Sequence, residues 1–234
     1  MLGAFAGALG FLAGSAALGG TVANQCLPTP SQTEGPYYPP SSQIADQVDK
    51  DNDLTLVKGK SDRAGGQVIY IRGQVRDAQC RPIEGALVEI WQASANGRYN
   101  HPRERSNPEP LDPNFQYWGN AVTDKDGRYL FKTIIPGQYP AGPQWIRPAH
   151  IHFKARRQGF SPLTTQMYFS GDRYLEGDHI FKEIPQAEQA SVVIKLEEPG
   201  PEFERDARAC RFDLTLRSAQ WGWVSGKGGG AAPS

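Results

Sequence analysis

The sequence predicts an all-β protein: an antiparallel β-sandwich of about 7–9 strands with an extended N-terminal arm and few short helices. Glycine (26) and proline (19) are abundant among the 234 residues, which favours many turns. Short β-type runs recur at regular spacing, and no long amphipathic helical pattern competes with them. Short strands punctuated by turns are typical of a sandwich, and one large β domain of this length is common.

The predicted strands are rich in β-branched or aromatic residues and several alternate in polarity, as half-buried strands do. Between them lie turn sequences such as SANG, DKDG and IPGQYPAGP, which carry Gly, Pro, Asn or Asp. The strands are expected at residues 68–75, 86–93, 128–134, 150–155, 164–169, 191–197 and 212–217.

The strand pattern divides the chain into four parts. Residues 1–23 are small and apolar, and resemble an export signal or a short membrane anchor. We expect a removed signal and a periplasmic or extracellular protein; a leader that is not a signal would leave it cytoplasmic. Residues 24–63, rich in Pro, Ser and Asp, should form an arm, followed by the sandwich domain at 64–222 and a disordered tail at 223–234.

Charge and cysteine content narrow the classes of partner. Lys+Arg and Asp+Glu balance at 25 each, so no basic field favours nucleic acid. Cys26, Cys80 and Cys210 form no C-x-x-C spacing, which argues against a zinc knuckle or a thioredoxin-type site. An exported protein allows one disulfide with one leftover thiol, and the sequence does not give the pairing. We expect all three to be small buried or loop residues rather than functional ones.

The segment RPAHIHF places His150 and His152 two residues apart on a predicted strand. Side chains at i and i+2 point to the same face of a strand, so both imidazoles can reach one metal ion. Taken alone, such a pair is more often two polar residues on a solvated face. It would also suit zinc or copper.

Three other segments contain tyrosines that could lie near the histidine pair. NGRY ends on Tyr99, PGQYP contains Tyr139, and TEGPYYPP lies in the arm. Together with RPAHIHF, these stretches resemble the intradiol ring-cleavage dioxygenases over roughly residues 33–169. Within that family, the size of the chain is most similar to the iron-bearing β subunits of protocatechuate 3,4-dioxygenases.

The resemblance implies a non-haem ferric ion held by Tyr99, Tyr139, His150 and His152. The chemistry agrees, because ferric iron is a hard cation suited to anionic oxygen and imidazole nitrogen ligands. A bound cation also favours the phenolate form of tyrosine. The resemblance further implies that Tyr139 leaves the metal when substrate binds, which gives it a catalytic role.

Four more residues are expected in the site. Arg147 matches the family's active-site arginine and would stabilise negative charge on the substrate ring. Gln166, in TTQMYF, matches a glutamine that hydrogen-bonds near the substrate, and Trp91 matches a pocket-lining tryptophan. Tyr38, in EGPYY, is expected to shape the substrate pocket, although packing of the arm would explain it equally well.

The implied reaction inserts both atoms of O2 into a catechol-type substrate, with protocatechuate as the leading choice. The ring opens between the two hydroxyl-bearing carbons to a cis,cis-muconate-type diacid. The expected partners are the aromatic diol and O2, in a homo-oligomer or with an α-type subunit. Because the arm resembles the N-terminus of that α chain, this chain is expected to complete its own site. The alternatives are a secreted binding module that lacks iron and a zinc- or copper-binding H-x-H protein.

Overall fold

A computed structural model describes residues 25–219 of the chain. The expected leader at 1–23 and tail at 223–234 lie outside these residues. Within the described part, none of the helices combines the length and apolar character needed to cross a membrane.

The first sheet is built around β1. Its one edge pairs with β4 in antiparallel fashion, and its other edge pairs in parallel with β10 and then with β11. The strands are β1 (Val68–Asp77), β4 (Arg128–Ile134), β10 (Arg208–Arg211) and β11 (Leu214–Leu216).

The second sheet has five strands in the order β3-β2-β7-β8-β9. All neighbours are antiparallel except β8 and β9. The strands are β2 (Leu87–Trp91), β3 (Trp118–Val122), β7 (His150–Arg156), β8 (Leu163–Phe169) and β9 (Val193–Ile194).

A separate two-stranded hairpin and a few short helices complete the described fold. The hairpin pairs β5 with β6 and belongs to neither large sheet. The elements are β5 (Tyr139–Gly142), β6 (Trp145–Arg147), α1 (Ser41–Asp46), a 3₁₀ turn (Leu175–Gly177), α2 (His179–Lys182) and α3 (Gln186–Gln189).

The predicted all-β sandwich is confirmed, with two differences of detail. The described residues contain 11 strands, because several are too short to leave a clear pattern. The sequences of β3 (WGNAV) and β10 (RACR) also contain residues that are depleted in strands. In addition, β10 and β11 run parallel to β1, and β9 parallel to β8, so the sheets are mixed rather than purely antiparallel.

The core lies between the two sheets, and the side chains of β7 distinguish the face of the second sheet that lines this core from its outer face. Ile151 and Phe153 face this core, where the Phe153 ring meets Phe131 of β4 edge-on at 6.3 Å between centroids. By strand alternation, His150 and His152 point to the opposite, outer face. That outer face is buried as well, because the arm and two loops cover it.

A disulfide joins the arm to the sandwich. Cys26 pairs with Cys80, which lies in the turn after β1, and Cys210 is a buried thiol. One disulfide and one leftover thiol is the arrangement that the sequence allowed without giving its pairing. The sequence separation of 54 residues between Cys26 and Cys80 gave no local sign of the pairing.

The loops that lead to the two predicted tyrosine ligands, residues 94–99 and 136–139, pack backbone against backbone. Gly97 has a φ of +82°, and a Cβ there would lie 2.4 Å from the carbonyl oxygen of Gln138. Its N–H donates to the carbonyl of Ser94 at 2.9 Å. This position therefore requires glycine for two reasons, the left-handed backbone and the close approach of the second loop.

We expect Gly97→Ala to destabilise the fold more than Gly159→Ala does. Both positions have a left-handed backbone, with φ of +82° and +88°, so both variants carry similar backbone strain. A Cβ at Gly159 meets nothing within 4 Å, whereas one at Gly97 strikes a carbonyl oxygen. Urea unfolding should give a difference of about 1–3 kcal/mol. Equal losses would contradict the close packing of the two loops.

Reduction of the disulfide should lower the free energy of unfolding by about 2–4 kcal/mol, because the bond restricts the unfolded chain. Urea unfolding with and without a reductant measures this loss. A Cys26→Ala/Cys80→Ala double variant should be insensitive to reductant, and Cys210→Ala should keep the full response. Identical midpoints for wild type and the double variant would show that the bond does not form.

Candidate active site

Four predicted ligand side chains converge on the outer face of the second sheet. Tyr99, Tyr139, His150 and His152 are 3%, 5%, 2% and 2% exposed. The Tyr99 hydroxyl lies 3.4 Å from Nε2 of His150. The two phenol rings meet edge-on at 5.5 Å between centroids, and the two imidazole centroids are 4.9 Å apart. The structure therefore brings together residues that are up to 53 positions apart in the sequence.

The register of the second sheet places three of the predicted site residues side by side on neighbouring strands. Trp91 on β2, His152 on β7 and Gln166 on β8 lie directly opposite one another across the three strands. The indole of Trp91 stacks on the imidazole of His152, with centroids 4.6 Å apart and planes 11° from parallel. The predicted pocket tryptophan therefore packs against the face of a predicted ligand histidine.

A backbone carbonyl fixes the orientation of His150. Its Nδ1 lies 2.7 Å from the carbonyl oxygen of Pro148. A carbonyl can only accept, so Nδ1 carries the proton and Nε2 presents its lone pair toward Tyr99. This is the tautomer that a metal ligand needs.

Burial keeps all four groups uncharged in the protein alone. It raises the pKa of Tyr99 well above its ordinary value and that of Tyr139 to about 12. It lowers the pKa values of His150 and His152 well below their ordinary value, and the nearby Arg147 cation acts in the same direction. A bound cation would reverse the balance for the phenols, because it stabilises the phenolate directly.

The donor set fits a hard, highly charged cation. It offers two phenol oxygens and two neutral imidazole nitrogens. Among residues 25–219, Nδ1 of His152 is buried with no hydrogen-bond partner. In the same part of the chain, no three His, Cys, Asp or Glu side chains are grouped to hold a metal ion. A metal at this histidine pair would therefore draw its remaining protein ligands from tyrosine.

Arg147 and Gln166 are held by each other. Nη2 of Arg147 donates to Oε1 of Gln166 at 2.6 Å, and its Nε donates to Asp178 at 2.6 Å. The amide nitrogen of Gln166 donates to the carbonyl of Thr33 at 3.1 Å. Both ends of the Gln166 amide thus already have protein partners, so its geometry favours holding Arg147 and the arm.

The hairpin aligns the second tyrosine with this arginine. Tyr139 is the first residue of β5 and lies directly opposite Arg147, the last residue of β6. Only two residues separate Arg147 from His150. A single hairpin therefore carries one phenol and the guanidinium, and leads straight into the histidine strand.

The N-terminal arm covers the site. Its Gln32 backbone N–H donates to the carbonyl of Thr164 at 2.8 Å, and Glu34 pairs with Lys154 at 2.6 Å. Gly35, with a φ of +73°, passes so close that a Cβ would sit 3.5 Å from Cε1 of His152. The arm thereby shields the imidazole pair from solvent.

The two adjacent arm tyrosines lie in different surroundings. Tyr38 donates to Glu89 at 3.0 Å and packs edge-on against Trp91, with Lys154 above its ring at 4.1 Å. Its hydroxyl thus points away from the four predicted ligands and fastens the arm. Tyr37 stacks on the ring of Tyr99 at 4.6 Å.

Two residues beside the site were missed by sequence reasoning. Tyr37 adjoins the expected Tyr38, and nothing in EGPYY tells the two rings apart. Asp178 lies 31 residues from its partner Arg147, and the local sequence GDHIF indicates only the start of a helix.

Comparison with known proteins places the chain in a family. A family model described as Dioxygenase matches residues 33–218. The chain is 41% identical over 183 residues to the protocatechuate 3,4-dioxygenase beta chain of Burkholderia cepacia, covering 77% of each. It is 32% identical over 181 residues to catechol 1,2-dioxygenase 2 of Acinetobacter lwoffii, covering 70% of this chain and 61% of that one.

Solved structures agree on the fold. The dioxygenase domain of a dioxygenase carbohydrate-binding protein fusion from Streptomyces sp. SirexAA-E is 29% identical, with a TM-score of 0.58. The match covers 82% of this chain and 99% of that domain. Catechol 1,2-dioxygenase from Pseudomonas arvilla C-1 is 26% identical, with a TM-score of 0.60. The match covers 81% of this chain and 63% of that one. The family match, the sequence relatives and the two-tyrosine, two-histidine cluster agree, and the chain belongs to the intradiol ring-cleaving dioxygenase family.

Proposed function

We propose that this chain is a non-haem ferric intradiol dioxygenase that opens a catechol-type ring between its two hydroxyl-bearing carbons. The observation that carries the proposal is the buried convergence of Tyr99, Tyr139, His150 and His152 on one face of a sheet. These four residues would hold the iron. When bound, ferric iron supplies Lewis-acid chemistry that draws electron density from a chelating diol.

The residues of the chain would divide the remaining work. The Tyr139 phenolate, at the start of a hairpin that belongs to neither large sheet, would yield its place to the diol and accept one of the diol protons on its own oxygen. The buried Arg147 guanidinium would stabilise negative charge on the ring, a role suited to a fixed cation in a water-poor site. Trp91, Tyr37 and the arm would exclude water.

We propose protocatechuate as the leading substrate, because the relative that shares 41% identity is named a protocatechuate 3,4-dioxygenase beta chain. Catechol, hydroxyquinol and larger lignin-derived catechols are the competing candidates. We further propose that the arm completes the site without an α-type subunit. Its residues 32–38 already contact Gln166, Tyr99 and Trp91.

Export is a separate proposal. It is supported by the small, apolar leader at residues 1–23 and by the Cys26–Cys80 disulfide, since such bonds persist mainly in oxidising compartments. Fractionation of cells that express the full chain tests it.

Loading the purified chain with ferric iron is expected to turn it red to burgundy, because phenolate-to-iron charge transfer absorbs visible light. Tyr99→Phe and Tyr139→Phe should each weaken and shift this band. Tyr70→Phe, which changes a tyrosine on the first sheet stacked against Phe203, should leave it unchanged. A colourless protein that retains stoichiometric zinc or copper would contradict the proposal and support the H-x-H alternative.

The iron-loaded chain, expressed without any second subunit, should convert at least one catechol to a muconate-type diacid. The panel is protocatechuate, catechol, hydroxyquinol and a larger lignin-derived catechol, with anaerobic binding spectra, O2 uptake and product identification as readouts. Arg147→Met should lower kcat by about 100- to 1000-fold, because it removes a preorganised charge. An aldehyde product would indicate extradiol cleavage. Binding without turnover would favour a module that has lost catalysis.

A further inference from the structure

Asp178 is a buried carboxylate next to the site that both binds Arg147 and caps a helix. Its side chain has no exposed surface, and its Oδ2 accepts from Nε of Arg147 at 2.6 Å. Its Oδ1 accepts from the backbone N–H of Phe181 at 2.8 Å and so caps α2. Trp145 Nε1 approaches Oδ2 at 3.4 Å.

Residues 172–179, here called the clamp segment, hold the hairpin at both ends. Asp172 accepts from the side-chain nitrogen of Gln138 and from the backbone N–H of Ala149, each at 2.9 Å. His179 stacks on Trp145 with centroids 4.8 Å apart. The chain just before Tyr139 and just after Arg147 is therefore fixed to the same short segment.

The contacts of Arg147 define the direction of its guanidinium. Asp178 binds Nε and Gln166 binds Nη2, so two edges of a rigid plane are fixed. The Tyr168 hydroxyl also lies within hydrogen-bonding reach of the guanidinium. The plane is thus held from the clamp side and from the β8 side.

We propose that Asp178 is the positioning residue that aims the Arg147 guanidinium at the negative charge developing on the substrate ring. The inference rests on the proposed function and names a further residue for it. Gln166, the other partner, is neutral, so Asp178 supplies the carboxylate that compensates a buried cation. Without that compensation, the guanidinium would be drawn toward water or toward the phenols.

The variant Asp178→Asn separates the two tasks. Asparagine has the same size and is an equally good helix cap, so the bond to Phe181 can persist while the negative charge is lost. In the metal-free protein, the Nε–H resonance of Arg147 reports the pair directly and is assigned by its disappearance in Arg147→Lys. Slow exchange of this proton with water is expected in wild type, and fast exchange in Asp178→Asn.

Activity of the iron-loaded variants tests the positioning role. Asp178→Asn should lower kcat by about 10- to 100-fold with little change in KM, since a misplacement of about 1 Å can cost that much. In an Arg147→Met background the same substitution should have no further effect on kcat, because Asp178 acts through Arg147.

Asp77→Asn is the matched control. Asp77 is also a buried carboxylate paired with an arginine, Arg81, at 2.7 Å, and it also accepts from backbone N–H groups. It ends β1 and takes no part in the site. Its substitution should lower stability and leave kcat and KM at the wild-type values.

The outcomes are distinct. Loss of exchange protection, a fall in kcat and a non-additive double variant support the inference. A wild-type kcat in Asp178→Asn, or an equal further loss in the Arg147→Met background, overturns it while the proposed function stands. If the wild-type chain opens no ring of the panel, the proposed function fails first, and the inference fails with it.

Discussion

The structure depends on a strand that is buried on both faces. One side of β7 contributes Ile151 and Phe153 to the core, and the other presents His150 and His152. Apolar side chains need only be covered, but buried imidazoles also need partners for their nitrogens. The arm, the hairpin and the tyrosine loops are the covers of that second face. They seal a polar surface on which the Tyr99 hydroxyl and Nε2 of His150 lie 3.4 Å apart.

The second organising interaction is a buried ion pair in otherwise neutral surroundings. Arg147 and Asp178 have side chains that are 4% and 0% exposed. Such a pair contributes little net stability, because removing two charges from water costs about as much as their attraction returns, yet breaking one partner is costly. The pair matters here because it fixes the orientation of the arginine side chain. The phenols and imidazoles nearby stay uncharged in the protein alone, so Asp178 is the charged partner of this guanidinium.

Sequence alone predicted the features that depend on local pattern. The β-sandwich followed from alternation and turn chemistry, and the four expected ligands, which the structure brings together, followed from the family resemblance of short motifs around Tyr99, Tyr139 and the histidine pair. What it missed depends on distant contacts. The Cys26–Cys80 bond and the Arg147–Asp178 pair join residues 54 and 31 positions apart, and no local spacing encodes either. The parallel pairing of β10 and β11 with β1 was likewise set by the path of a long connection rather than by strand composition. Tyr37 and Tyr38 are adjacent in the sequence, yet Tyr37 stacks on Tyr99 and Tyr38 donates to Glu89, and both partners are distant in the sequence.

The disulfide has a consequence for the site that reaches beyond the strength of the fold. Cys26 is seven positions before Thr33, the arm residue whose carbonyl accepts from Gln166. A short tether of this kind holds its far end at an effective concentration of about millimolar over the surface it covers. The backbone already joins the arm to β1, so the disulfide attaches the arm to the sandwich at a second point. In a thiol-rich medium this second attachment would be lost, so the dryness of the catalytic face would depend on the redox state of its surroundings.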